Sequence, residues 1–254
     1  MTVLEGLKPE KVFYYFEELC KIPHGSYHTK QISDYLVDFA KAHGLKYRQD
    51  EDLNVIIWKD GSKGYEASEP VILQGHMDMV AVKEADCDKD MEKEGLDLEI
   101  DGDYILAKGT SLGGDDGIAV AYTLAVLDDE EMAHPPIEAI FTVNEEIGML
   151  GAATIDVSDL KGRLFMNMDS EDEGVFTVSC AGGASVICKI PYETETVNAS
   201  VIEIKMDGFT GGHSGVEIIK GRMNANCAMA RVLLSLFNEV EMQLVSVNGG
   251  EKDN

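Results

Sequence analysis

The sequence belongs to an acidic protein of globular composition. Its 254 residues include 47 aspartates and glutamates against 21 lysines and arginines, a formal net charge of −26, and 44% of them are hydrophobic. This length suffices for one large domain, or for one domain and part of a second. The negative charge would repel nucleic acid and anionic membranes, so we expect neither as a partner.

Cysteine usage and hydropathy favour a reduced cytoplasmic location. The five cysteines are scattered and form no C-x-x-C pair, which argues against a disulfide framework and against a thiolate-bound zinc. The first residues lack the basic and apolar layout of a signal peptide. The longest nearly apolar run, residues 117–127, is too short to cross a bilayer.

Hydrophobic spacing predicts an α/β fold for the first two thirds of the chain. Helical periodicity indicates helices, whereas short continuous apolar runs indicate strands that are covered on both faces. In chain order we predict helices at 9–20 and 30–43, strands at 54–58 and 71–74, a hairpin at 96–107, a helix at 117–127, and strands at 137–143 and 164–168. This alternation favours a largely parallel sheet flanked by helices.

The pattern changes near Ala181-Gly182-Gly183. Beyond it, alternating apolar residues predict strands at 184–190 and 199–206, followed by a helix at 222–237 and the start of a strand at 243–247. We therefore divide the chain into a first domain, residues 1–183, and part of an α+β second domain, residues 184–254.

Side chains of metal-ligand type stand at the ends of predicted elements. His76, the pair Glu145-Glu146 and Asp169 each follow a predicted strand, and Asp115 stands at the start of the third helix. Because the carboxyl ends of neighbouring parallel strands border one crevice, we expect these side chains to meet there. Imidazole and carboxylate ligands without thiolate suit Zn²⁺, with Mn²⁺ or Co²⁺ as substitutes.

Two further roles follow from the same pattern. Asp78 lies two residues after His76 and could accept the free N–H of its imidazole, which fixes the tautomer. Two adjacent carboxylates repel each other unless a cation or a proton separates them. One division of roles makes Glu146 a metal ligand and Glu145 the general base that takes a proton from water and passes it to the leaving amine.

Each of these residues also has a purely structural explanation. A lone histidine after a strand, such as His76, is commonly a loop residue, and Asp115 could cap the helix that follows it. Glu145-Glu146 could open a helix, and Asp169 heads an acidic run typical of an exposed turn. The occurrence of all of them in order along the chain favours a metal site.

The motifs that carry these residues resemble those of the co-catalytic zinc peptidases, a superfamily that includes carnosinases, aminoacylases and glutamate carboxypeptidases. The details are most similar to the bacterial aminoacyl-histidine (Xaa-His) dipeptidases. The matching segments are Gly75-His76-Met77-Asp78, Gly113-Gly114-Asp115-Asp116-Gly117, Asn144-Glu145-Glu146-Ile147-Gly148, Met168-Asp169, Ile22-Pro23-His24-Gly25-Ser26, Ser179-Cys180-Ala181-Gly182-Gly183 and Gly211-Gly212-His213-Ser214-Gly215.

The resemblance implies hydrolysis of dipeptides, of the Xaa-His type, by water activated between two zinc ions. His76 and Asp169 would bind one zinc, Asp115 would bridge both, and Glu146 would bind the second. Glu145 would be the base and Asp78 the residue that orients the imidazole. A cis peptide would follow the bridging aspartate, and Asp116 would have no role as a ligand. Residues 1–183 would be the first segment of the catalytic domain and residues 184–254 part of a lid.

The resemblance also gives His213 a role that the residues alone do not. On sequence alone it is a turn residue between glycines. By resemblance it lies in the lid and reaches the active site of a neighbouring subunit to stabilise the oxyanion, so the protein would be a homodimer acting on short peptides. The remaining histidines, by contrast, are predicted to be surface or packing residues: His24, His28, His43 and His134.

One feature departs from that family. Its members supply another metal-binding histidine from a C-terminal segment, and no histidine follows His213 here. We therefore expect a fragment of such a dipeptidase, which lacks one ligand of the second zinc and has little activity alone. The alternative is a fragment of the same fold that binds a metal or a partner and catalyses nothing.

Overall fold

The computed structural model describes residues 2–170, 174–180, 182, 186–212 and 217–249. Contacts between residues divide the chain into two compact units, Met1–Ala181 and Gly182–Asn254. Their assignment as catalytic segment and lid stays a prediction. No helix in the described ranges is both long enough and apolar enough to cross a membrane.

The first unit contains a mixed sheet with helices around it. Its helices are α1 (Glu10–Cys20), α2 (Lys30–Ala42), α3 (Gly114–Asp128) and α4 (Leu150–Thr154). Its strands are β1 (Lys46–Gln49), β2 (Val55–Lys59), β3 (Val71–His76), β4 (Leu98–Asp101), β5 (Tyr104–Ala107), β6 (Ile137–Thr142) and β7 (Leu164–Asn167). The predicted hairpin is the β4–β5 pair, which forms a separate small sheet.

The main sheet has the strand order β1-β2-β6-β3-β7. Strand β3 lies between β6 and β7 and runs parallel to both, whereas β2 is antiparallel to β6 and to β1. Every strand except β2 therefore points the same way, which confirms the largely parallel sheet. Strand β1 was not predicted because its sequence, Lys-Tyr-Arg-Gln, has no apolar run and its side chains are exposed or half-buried.

The core lies mainly on one face of this sheet. Ile57 of β2 and Phe141 of β6 pack in one large cluster with residues of α1, α2 and α3, among them Leu19, Leu36 and Leu124. The other face carries a smaller cluster of three buried isoleucines, Ile56, Ile72 and Ile140, which pack against partly buried neighbours. Successive residues of a strand point to opposite faces, so the neighbouring residues Ile56 and Ile57 of β2 pack in different clusters.

The second unit contains a 3-10 turn at Ile218–Lys220 and the helix α5 (Ala225–Glu239). The predicted helix is confirmed, and its Asn224 cap accepts a hydrogen bond from the backbone N–H of Cys227 at 3.0 Å. The predicted strands are wrong for the described residues among 186–190, 199–206 and 243–247, which form none. Alternation predicts a strand only where one face is buried, and here Val186 and Ile202 are 83% and 82% exposed.

Candidate metal centre

His76 is the last residue of β3, and its side chain is only 1% exposed. The preceding Gly75 allows β3 to approach the start of α3 closely, because a Cβ there would lie 2.7 Å from Asp116 Oδ2 and 3.0 Å from Ala119 Cβ. The backbone N–H of His76 donates a hydrogen bond to Asp116 Oδ2 at 3.2 Å. The histidine is therefore fixed by its backbone as well as by its ring.

The start of α3 is kinked. Gly113 has a φ of +69°, and Asp115 and Asp116 have non-helical dihedral angles although the helix continues after them. The peptide bond between the two aspartates is cis, as the resemblance implied. This geometry places Asp115 Oδ1 3.1 Å from His76 Nε2.

Carboxylates that follow two other strands reach the same imidazole. Glu145 follows β6, and its Oε2 lies 3.9 Å from His76 Nε2. Asp169 follows β7, and its Oδ2 lies at the same distance from that nitrogen. The main chain after β7 remains attached to β3, since Met168 N donates to the carbonyl oxygen of Gln74 at 3.2 Å.

Among the residues that the structure describes, two groups of side chains could hold a cation. One is His76, Asp115 and Glu146, and the other is His76, Asp116 and Asp169; within each group the ligand atoms lie within 4.8 Å of one another. The structure thus brings together all the predicted metal ligands, while their roles as ligands stay predictions. It adds Asp116, which we expected to have no such role.

Burial distinguishes Asp116 from the exposed helix cap that its pairing with Asp115 would suggest. Its side chain belongs to an acidic pair at a helix start, a pattern that usually indicates an exposed cap. The kink at Asp115 turns Asp116 inward instead, where it is 2% exposed and accepts the N–H of His76. The doubled aspartate after two glycines is the one signal in the sequence that could have suggested it.

The centre has an excess of negative charge. Burial lowers the pKa of His76, but its hydrogen bonds with Asp115 and Asp78 outweigh that effect and raise the pKa to about 11. Burial raises the pKa of Asp116 to about 8, against the attraction of His76 and with the repulsion of Asp169. One imidazole surrounded by several carboxylates is a donor set that fits a divalent metal ion.

The pKa values of Glu145 and Glu146 are shifted in the same direction as that of Asp116. Burial raises the pKa of both Glu145 and Glu146, and the attraction of His76 offsets this only in part. Repulsion from Asp169 acts in the same direction as burial on Glu145, and repulsion from Asp115 does so on Glu146. A carboxylate whose pKa is raised towards neutrality is suited to accept and return a proton.

Asp78 lies beside the ring of His76 with its main chain as well as with its carboxylate. The ring Nδ1 of His76 lies 2.9 Å from the backbone carbonyl oxygen of Asp78 and 3.5 Å from its carboxylate Oδ1. The carboxylate accepts hydrogen bonds from the hydroxyl of Ser26 at 2.8 Å and from the N–H of Glu145 at 3.0 Å. Burial raises the pKa of Asp78, but the nearby imidazole and these donors bring it below its usual range.

The other histidines behave as packing or surface residues. His24 and His134 are 4% and 6% exposed, and each ring nitrogen Nδ1 lies within 2.8 Å of a backbone carbonyl oxygen. His28 lies near Glu92, and His43 contacts Asp128 at 3.0 Å. His213 lies outside the described residues, so its predicted role stays a prediction.

The chain is similar to known dipeptidases. It is 38% identical over 252 residues to the cytosol non-specific dipeptidase of Escherichia coli K12, a match that covers 98% of this chain and 52% of the relative. The crystal structure of aminoacylhistidine dipeptidase from Vibrio alginolyticus superimposes with a TM-score of 0.67 at 34% identity, covering 93% of this chain and 49% of that one. No protein-family model matches the chain.

A more distant structure supports the fold alone. A tripeptidase from Staphylococcus aureus gives a TM-score of 0.53 at 23% identity over 64% of this chain. The two dipeptidases are the more informative relatives, and the chain spans about half the length of each. The resemblance found in the motifs is therefore confirmed as a similarity: over nearly all of its length the chain is similar to these two dipeptidases.

Proposed function

We propose that this chain forms the metal-binding part of a zinc-dependent dipeptidase that cleaves short peptides of the Xaa-His type in the cytoplasm. The observation that carries the proposal is the contact of one buried imidazole, His76, with carboxylates from separate elements of the fold. The name of the E. coli relative, a cytosol non-specific dipeptidase, supports dipeptides as substrates, and the name of the Vibrio relative, an aminoacylhistidine dipeptidase, supports the Xaa-His type.

The donor set fits two cations that share a bridging carboxylate. His76 offers only Nε2 to a metal, because Nδ1 faces the carbonyl oxygen of Asp78. We assign His76 and Asp169 to one position, Asp115 to the bridge and Glu146 to the second position. Bound zinc would polarise the peptide carbonyl and lower the pKa of a water molecule.

Glu145 is the proposed general base. About a third of its side chain is exposed, so a water molecule and a peptide can reach its carboxylate. Its raised pKa allows it to take a proton from the attacking water and deliver it to the nitrogen of the leaving amine. The backbone N–H of Glu145 is bonded to Asp78, which holds this carboxylate beside the metal ligands.

Turnover requires more than the residues of this chain in our proposal. His76 is the imidazole of both candidate groups, so its assignment to the first position leaves only carboxylates for the second among the described residues, and the relatives are about twice as long. We therefore expect the polypeptide that corresponds to their remaining half to supply a ligand and to close the substrate site. Binding of the first cation needs only residues of this chain.

The test compares the chain alone with a fusion of the chain to the C-terminal half of the E. coli dipeptidase. We expect the fusion to hydrolyse Xaa-His dipeptides in the presence of zinc and to stop when a chelator is added. Glu145→Gln should abolish turnover and leave zinc binding intact, whereas Glu130→Gln, a change at an exposed glutamate of the loop after α3, should affect neither.

The same experiment separates the alternatives. Zinc binding by both proteins without hydrolysis in either would favour the non-catalytic metal-binding fragment. Failure of the chain to bind zinc would overturn the metal site itself. Full activity of the Glu145→Gln fusion would eliminate this residue as the base.

A further inference from the structure

A loop before α2, residues 24–27, pairs with the backbone that follows His76. The N–H of Met79 donates to the carbonyl oxygen of His24 at 3.2 Å, and the N–H of Ser26 donates to the carbonyl oxygen of Met79 at 3.3 Å. Gly25 permits this close approach, because a Cβ there would lie 2.8 Å from Ala81 Cβ. The loop is therefore part of the backbone structure that surrounds the metal centre.

The side chain of Ser26 connects this loop to the buried carboxylate of Asp78. Its hydroxyl donates to Asp78 Oδ2 at 2.8 Å, and the side chain of Asp78 is 0% exposed. The other donors to this carboxylate are the backbone N–H groups of Glu145, at 3.0 Å, and of Glu146, at 3.4 Å. A buried carboxylate depends on such donors, so each one restricts where it can lie.

The next residue, Tyr27, is hydrogen-bonded to the segment after β6 that contains the glutamates. The N–H of Tyr27 donates to Asn144 Oδ1 at 2.7 Å, and Asn144 directly precedes Glu145. Both residues have left-handed backbone angles, with φ values of 68° and 55°. Such conformations are unfavourable for residues other than glycine, and they persist where the surrounding contacts enforce them.

We propose that Ser26 is a positioning residue of the metal centre. Acting through Asp78, it fixes the turn that presents Glu145 and Glu146, and it fixes the backbone carbonyl that orients the ring of His76. This inference rests on the proposed function, since it assumes that the centre binds a cation. Without the hydroxyl donor, Asp78 Oδ2 retains the longer hydrogen bond from Glu146 N–H, and the two backbone N–H groups that the carboxylate holds become less constrained.

The first test is the affinity of the chain for zinc alone, measured by competition with a chromophoric chelator. Ser26→Ala should weaken binding about tenfold, as is usual for residues that support metal ligands, and Ser26→Thr should restore most of the loss. Ser33→Ala is the matched control, because its buried hydroxyl donates to the carbonyl oxygen of Leu53 at 2.7 Å. It should lower thermal stability without changing zinc affinity.

The second test needs no metal. Hydrogen exchange of the backbone N–H groups of Glu145 and Glu146 in the metal-free chain should be faster in Ser26→Ala than in the wild type, and unchanged in Ser33→Ala. Circular dichroism confirms that each variant is folded before either test. This measurement reports the positioning of the turn directly.

The outcomes distinguish this inference from the proposed function. If the wild type binds zinc and Ser26→Ala binds it equally well, the inference is overturned and the metal site stands. If the wild type binds no zinc, the proposed metal site fails, and exchange alone then decides the role of Ser26. Faster exchange in Ser26→Ala supports positioning, and unchanged exchange rejects it.

Discussion

The ring of His76 and the main chain of Asp78 are held in direct contact, with Nδ1 2.9 Å from the Asp78 carbonyl oxygen. The carboxylate of the same residue, 3.5 Å from that nitrogen, is bonded more closely to Ser26 and to the N–H of Glu145. Asp78 thus orients the imidazole with its backbone and the glutamate turn with its side chain. This division of contacts leads to the first prediction.

Asp78→Asn should weaken zinc binding by about 10- to 100-fold while the protein remains folded. An amide offers one acceptor oxygen, so its NH₂ group must face either the Ser26 hydroxyl or the N–H groups of the glutamate turn. Chelator competition measures the change in affinity. Asp60→Asn, at an exposed position, is the control, and equal affinities for the two variants would contradict the prediction.

Zinc should stabilise the chain, and Glu146→Gln should reverse part of that gain. A ligand at 100 times its dissociation constant adds about 2.7 kcal/mol to the free energy of unfolding. The pKa of Glu146 is raised by burial and by repulsion from Asp115 and Glu145, so its charge is unfavourable without metal. We expect the variant to melt at a higher temperature than the wild type in chelator and to gain less on zinc addition.

Thermal unfolding with and without zinc measures both expected effects of Glu146→Gln, the higher melting temperature in chelator and the smaller increase on zinc addition. Glu130→Gln should follow the wild type in each condition. A Glu146→Gln variant that gains as much from zinc as the wild type does would remove this residue from the set of ligands.

The metal-free chain should lose stability as pH rises from about 4 to about 8, because over this range Asp116 is ionised in the unfolded chain and protonated in the folded protein. The folded-state pKa of this carboxyl is about 8 against an ordinary value of 3.8. The folded protein therefore binds more protons than the unfolded chain between these values, and stability falls with increasing pH. Asp116→Asn should remove roughly 2–4 kcal/mol of that decline between pH 5 and pH 8.

Urea unfolding at several pH values, in the presence of a chelator, measures this difference. The asparagine can still accept the N–H of His76, so the comparison isolates the charge. Parallel curves of stability against pH for the wild type and Asp116→Asn would show that the carboxyl does not titrate in this range.

Asn54→Ala should lower the free energy of unfolding by about 2–4 kcal/mol. The buried side chain donates to Asp50 Oδ2 at 2.8 Å and to the carbonyl oxygen of Gly151 at 3.3 Å, and it accepts the N–H of Val143 at 3.1 Å. Its removal takes away the acceptor of the buried Val143 N–H at the end of β6, close to the glutamate turn, whereas the carbonyl oxygen of Gly151 still accepts the N–H of Ile155 at 3.0 Å. Asn167→Ala, at an exposed position, should cost less than about 1 kcal/mol.

Much of the first unit could be predicted from the sequence because its strands are apolar runs. The segments that became β2, β3 and β6 are buried in the middle of the sheet, and their composition indicates this directly. The candidate ligands could be found for a related reason, since a charged side chain directly after a buried strand needs a partner. His76 and Glu145 were identified in that way, whereas Asp169 follows β7, an edge strand that we expected to be covered on both faces and whose side chains are exposed.

Other features depended on contacts that no local pattern contains. Strand β1 is polar, and α4 has only five residues, so neither produces a recognisable periodicity. Alternation in the second unit predicted strands that the described residues do not form, because no buried face is present to select them.

The sequence by itself therefore indicated the residues that we assign as ligands, His76, Asp115, Glu146 and Asp169, and at which ends of the elements they stand. Only the tertiary structure decided how they meet, because that depends on the kink that turns Asp116 towards His76 and on the loop that brings Ser26 to Asp78. Ser26 and Asp78 are 52 residues apart in the chain. Their contact is a product of folding, because a hydrogen bond at 2.8 Å over such a separation exists only once both segments are packed against the same core.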